Sequence, residues 1–199
     1  MRRIAYSLLT DRRGASAAEF ALVLPLLLIL LFGIIDAGRY AYSFNRAEKA
    51  TQVGARFAVV TAPVAPGLAA FDFTTTGIAA GDPIPATALS PVTCASTGCT
   101  CTGTCPTGVG AVTGSWTQLL ARMKAIDPEI SDTNVRVIYS GSGLGFAGDP
   151  TGMNISPLVT VSLSGMTFKP VTSLLLASIT LNSARTTLTA EDSIGTQSN

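Results

Sequence analysis

Residues 20–35 (FALVLPLLLILLFGII) form sixteen consecutive positions without a charge, and this run constrains the chain more than any other feature. A buried helix of a soluble domain needs some polar relief, yet positions 26–32 are all Leu, Ile or Phe. Extending the run back to Ala15 gives twenty-one residues interrupted only by Glu19. At ~1.5 Å of rise per residue, such a helix is about 30 Å long, the thickness of a bilayer core. The expected element is a membrane-inserting helix over residues 15–38. Pro25 does not argue against it, because proline is more frequent in membrane helices than in soluble ones.

The rest of the composition narrows the function. Of 199 residues only 13% are charged, 47% are hydrophobic, and the mean hydropathy is +0.44, values that suit one apolar segment joined to a polar domain. The net charge of +1 lacks the basic excess with which nucleic-acid binders neutralise phosphates, so no nucleic acid is expected as a partner. The chain contains no histidine, which removes Ser-His-Asp and Cys-His nucleophile pairs and every imidazole metal ligand. With no carboxylate constellation or nucleotide loop evident, no catalytic residue, metal or cofactor is expected. The GSGLG stretch at 141–145 reads as a hairpin loop; as a phosphate cradle it is a weak pattern.

Three kinds of segment share an apolar run near an N-terminus. A secretory signal peptide has a shorter apolar stretch and a small-residue cleavage site, and GIIDAG at 33–38 offers none. A plain anchor requires no particular residue before the helix. Here the run is preceded by RRGASAAEF at 12–20, in which a short basic leader ends at Gly14, and Glu19 and Phe20 follow at the fifth and sixth positions beyond it. This spacing resembles the processing site of type IV pilin-like proteins. A carboxylate at the edge of an apolar span is costly in lipid and normally has a functional partner.

The similarity is wider than the leader. Arg12-Arg13-Gly14, Ala17-Ala18-Glu19-Phe20, Pro25, Gly33-Ile34-Ile35-Asp36-Ala37-Gly38-Arg39 and Gly54-Ala55-Arg56 follow one another as in the TadE-like family, which residues 12–59 resemble. The resemblance implies a non-catalytic pseudopilin of a tight-adherence (Tad) pilus in the bacterial inner membrane. Its N-terminus would be cytoplasmic and the domain 39–199 extracytoplasmic. It further implies cutting between Gly14 and Ala15 by a prepilin peptidase, with leader 1–14 removed. Glu19 and Phe20 would then serve assembly with other pilus subunits and an inner-membrane assembly platform. Charge alone does not orient the helix: Arg2, Arg3, Arg12 and Arg13 on one side balance Arg39, Arg46, Lys49 and Arg56 on the other. A second function class, a single-pass adhesin or sensor with an extracytoplasmic ligand-binding domain, would retain its leader.

Beyond Asp36 the pattern becomes amphipathic, with Ala37, Tyr40, Ala41, Phe44, Ala47, Thr51, Gly54, Phe57 and Ala58 recurring at three- and four-residue steps. No helix breaker occurs before Pro63, so one helix is expected from Ala15 to Val60. Its small-residue stripe (Ala47, Ala50, Gly54, Ala58) suits close packing, either on this chain's own core or on another subunit. Residues 61–114 read as a loop rich in Pro, Gly, Thr and Ala that holds Cys94, Cys99, Cys101 and Cys105. Their spacing fits no zinc site and outside the cytoplasm favours two disulfides, 94–99 with 101–105 or 94–101 with 99–105. SWTQ at 115–118 has a capping-box pattern and opens a helix with Trp116, Leu119, Leu120, Met123 and Ile126 on one face, stopped by Asp127-Pro128. Residues 134–140, 158–164 and 179–189 alternate as strands. Trp116 and Leu174, Leu175 and Leu176 read as core or hairpin residues. The fold class is α+β: a long N-terminal helix, half membrane and half amphipathic, packed on a small antiparallel sheet.

The mature chain is expected to begin at Ala15. Mass spectrometry of the membrane-extracted protein checks this; peptides spanning Arg13–Ala15 as the dominant form would reject it.

Overall fold

The computed structural model describes residues 15–150, 152–174 and 177–191, with backbone only at Ala15, Ser173 and Leu174. The long helix α1 spans Ala15–Val60 without interruption at Pro25. The second helix, α2, spans Ser115–Ile126. The described residues also form seven strands: β1 Val92–Ala95, β2 Gly98–Thr100, β3 Val135–Ser140, β4 Leu158–Leu163, β5 Thr167–Phe168, β6 Ile179–Thr180 and β7 Ala184–Thr189. The fold is α+β, as the hydrophobic patterns require. The chain divides into two compact units, one made of α1 up to Tyr42 with Phe168–Ile179, the other of Ser43–Thr167 with the chain from Thr180 onward.

In the second unit, an antiparallel sheet of order β2-β1-β3-β4-β7 carries the core. Alternation decides its faces: Val135, Val137 and Tyr139 of β3 stand opposite Leu163, Val161 and Val159 of β4, and all six are buried. The intervening residues form the more open face, where Thr160 and Thr187 pair their hydroxyls at 2.8 Å. The buried face receives the amphipathic part of α1. Ala47, Ala50, Gly54 and Ala58 are all buried, so the small-residue stripe serves this chain's own core. A Cβ on Gly54 would lie 2.8 Å from Met123 Sδ of α2 and 3.3 Å from Val161 Cγ1 of β4. Thr51 bonds Thr186 of β7 at 3.0 Å, and the Glu191 N–H donates to the Val59 carbonyl.

Three expectations change. The 61–114 segment is more ordered than a loop, since its cysteine region supplies two strands. Val92 and Cys94 alternate inward, β1 adds to β3, and the structure joins Cys94 to its cross-strand partner Cys99 and Cys101 to Cys105. SWTQ does not act as a capping box: Gly114 occupies the N-cap with no side-chain cap bond, and the Trp116 N–H already donates to Thr113. Gly114 has helical dihedrals, so the chain turns into the helix one residue before Ser115 can act as a cap. The strand expected over 179–189 is two strands in different sheets, β6 beside β5 and β7 beside β4. The break is at Leu181, which is buried and donates its N–H to the Met166 carbonyl.

The glycines of 141–145 are consumed by chain packing. A Cβ on Gly141 would collide with the Ala86 carbonyl, and one on Gly145, whose φ is +126°, with the Asn154 carbonyl. Gly145 also accepts from the Ile84 N–H and bridges to Ile155. The stretch is therefore the β3–β4 connection, as read from sequence. Trp116 is buried with Leu119 and Met123, while Leu120 and Ile126 are half-buried. The side chains of Leu174, Leu175 and Leu176 lie outside the described residues.

Gly54→Val is expected to destabilise this unit by about 1–3 kcal/mol through overpacking against Met123 and Val161. Gly54→Ala should cost less, because the Met123 thioether can swing and alanine is the better helix former. Urea unfolding of the detergent-solubilised protein, followed by the single Trp116, measures both.

Candidate functional site

The motif-bearing part of α1 has three regions with different surroundings. At its start, Ala15 is the first helical residue, and Glu19 follows four residues later, one turn along the same face. Glu19 is exposed, Phe20 is 64% exposed, and Glu19 has no hydrogen-bond or ion-pair partner among the described residues. Gly14 and the leader 1–14 lie outside the described residues. From Ala21 to Ile35 every side chain remains exposed, including Leu22, Leu26, Leu30 and Ile34. Within α1 an eighteen-residue window reaches a mean hydropathy of 2.7 with none of it buried, so the helix is long and apolar enough to cross a membrane.

The second region begins one residue after Ile35. Asp36 is 8% exposed, although it follows a surface that is apolar and open. Its carboxylate accepts from the Val171 N–H at 2.6 Å, the Thr172 N–H at 3.0 Å and the Thr172 hydroxyl at 2.8 Å. Arg39 reaches back one turn to the same carboxylate at 3.2 Å and also donates to the Lys169 carbonyl at 3.5 Å. The Arg39 guanidinium lies 5.4 Å from the Phe168 ring centroid, and Tyr40 meets that ring edge-on at 5.6 Å. A single carboxylate thus closes the segment Phe168–Leu174 onto the helix, with a cation and two aromatic rings packed around it. Gly33 and Gly38 on either side have open space where a Cβ would stand.

The third region is Gly54-Ala55-Arg56. Gly54 and Ala55 are in the core, whereas Arg56 is exposed. The first two positions are therefore explained by helix–sheet packing.

All three regions fall within one stretch of sequence similarity. Residues 14–56 match the family model described as TadE-like protein. No curated protein and no solved structure matches the chain. The TadE-like segment opens at Gly14, the residue before α1, and closes at Arg56, the last residue of the motif order. It is slightly shorter than the stretch 12–59 drawn from motifs alone. The sheet, the cysteine hairpin and α2 all lie beyond it.

Outside the TadE-like segment, a polar cleft of about 240 Å³ is bordered by Phe71, Asp72, Asp149 and Asn154. The Asp72 carboxylate is committed to structure there. It accepts from the Thr74 N–H and hydroxyl and from the Asn154 amide, bonds that hold its pKa below the usual carboxylate value. This group caps the 3-10 turn Phe73–Thr76.

Sequence reasoning assigned the motif position of Asp36 but not its task. The available signal was the one applied to Glu19: a carboxylate bordering lipid needs partners. Those partners come from a segment 135 residues later, which no local pattern reveals. Asp36→Asn keeps the size but presents fewer and weaker acceptors to three donors. A hydrogen bond to a charged group contributes about 1.5–3 kcal/mol, so the Val171 and Thr172 amides should exchange roughly ten- to a hundredfold faster. Hydrogen-exchange mass spectrometry of peptides covering these two residues gives the comparison.

Proposed function

We propose that this protein is a membrane-anchored, non-catalytic pseudopilin of a Tad-type pilus, held in the bacterial inner membrane by the first part of α1. The observation that carries the reading is the coincidence of the TadE-like match with a helix left uncovered by the rest of the chain from Ser16 to Ile35. A prepilin peptidase would cut between Gly14 and Ala15, and the helix would then pack beside those of other pilus subunits at the inner-membrane assembly platform. The domain from residue 39 onward would be extracytoplasmic. Two disulfides in the β1–β2 region favour that side, because thiols stay reduced in the cytoplasm.

The physical step in assembly is charge pairing at the membrane edge. Cleavage leaves an amine on Ala15 and, one turn further, the Glu19 carboxylate without an intramolecular partner among the described residues. A neighbour's amine supplies the opposite charge. In a low-dielectric setting either charge alone is costly, so the pair selects one axial register. Glu19→Gln is expected to insert and be processed normally while losing crosslinks to pilus partners and surface filaments. Unchanged crosslinking and filaments would show that Glu19 is only an interfacial residue and that this assembly step is wrong.

A further inference from the structure

The contact around Asp36 carries a consequence for the segment it holds. Val171 and Thr172 give both N–H groups and one hydroxyl to the carboxylate, which satisfies the polar backbone at that point. Meanwhile the Val171 side chain is 53% exposed and that of Ile179, at the far end of the same unit, 47% exposed. Asp36 stands one residue, about 1.5 Å along the helix, beyond the exposed apolar run. The segment is therefore attached where the lipid-facing surface ends. Lys169 is exposed beside it, and Tyr40 and Tyr42 occupy the same level of the helix. Cationic and aromatic side chains of this kind favour the interface and anionic headgroups.

We infer that Phe168–Thr172, together with Ile179, forms a second membrane contact, seated by Asp36 in the headgroup layer on the domain side of the bilayer, with Val171 and Ile179 turned to the lipid. This rests on the reading of α1 as a membrane anchor, and the two can be tested apart. A cysteine added at Val171, another at Leu27 within the apolar run and a third at Thr187 on the open sheet face are each labelled with the environment-sensitive fluorophore NBD. The full-length protein is then reconstituted in phosphatidylethanolamine–phosphatidylglycerol vesicles carrying doxyl quenchers either near the headgroups or at the chain ends.

The label at Val171 is expected to be blue-shifted and to lose most of its intensity with the shallow quencher. The label at Leu27 should respond to the deep quencher, and that at Thr187 to neither. Quenching at Leu27 without quenching at Val171 overturns the proposed second contact and leaves the anchor intact. A blue shift at Val171 with no quenching by lipid also overturns it, since the segment would then be covered by protein. Absence of quenching at both sites removes the anchor reading as well. Asp36→Asn should abolish quenching at Val171 while sparing Leu27; quenching that persists means the carboxylate does not seat the segment.

Discussion

Close approach of the amphipathic part of α1 to the sheet is the contact on which the second unit depends. At Gly54 the helix backbone comes so near Met123 and Val161 that no ordinary side chain fits undisturbed. Ala47, Ala50 and Ala58 continue that narrow track, while Phe57 and Val59 supply the apolar area that small residues lack. A glycine in a helix interior costs about 1 kcal/mol relative to alanine. The packing it permits compensates, because interiors are close-packed and a gap forfeits dispersion contacts.

Two polar contacts fix the same unit more specifically than area can. The Arg46 guanidinium meets Asp127 at 2.7 Å, and Asp127 also accepts from the Glu129 N–H just beyond the end of α2. Loss of one partner from a fully buried pair costs about 3–5 kcal/mol. The Arg46 side chain keeps 27% exposure, so water would soften that loss here. Tyr139 is fully enclosed, and its phenol oxygen accepts the Val64 N–H at 2.9 Å, satisfying the backbone just after α1 ends. Burial pushes the Tyr139 phenol well above its usual pKa. Both contacts tie α1 or its exit to elements distant in sequence, and both belong to residue types that hydrophobic periodicity overlooks.

That division explains what the sequence could reveal. The extent of α1 was legible because apolar run, amphipathic stripe and the absence of breakers all point to Ala15–Val60. Strands β3 and β4 were legible because each alternates over six residues. The hairpin β1–β2 was hidden because strands of four and three residues in a Thr- and Gly-rich stretch have little pattern, and their pairing with β3 is tertiary. The split between β6 and β7 depends on a hydrogen bond from Leu181 to Met166, equally invisible along the chain. In the candidate site, Glu19 stood out as an acid bordering the apolar run, and Asp36 only as a position in the motif order. Only the fold distinguishes them.

The distinction is one of solvation. A carboxylate beside hydrocarbon must replace its lost water with other donors, and Asp36 obtains three from Val171 and Thr172 and a fourth from Arg39. Glu19, at the opposite end of the run, obtains none among the described residues. One acid is thus committed within the chain, closing a distant segment onto the helix. The other has no partner among the described residues and lies on an exposed helical face, which in the proposed assembly adjoins the N-terminus that processing would create. Association through α1 would then leave the Asp36 contact undisturbed, because its acceptors are already filled. Each end of the apolar run has its own polar requirement, one met by folding and the other, in the proposed assembly, by a neighbouring subunit.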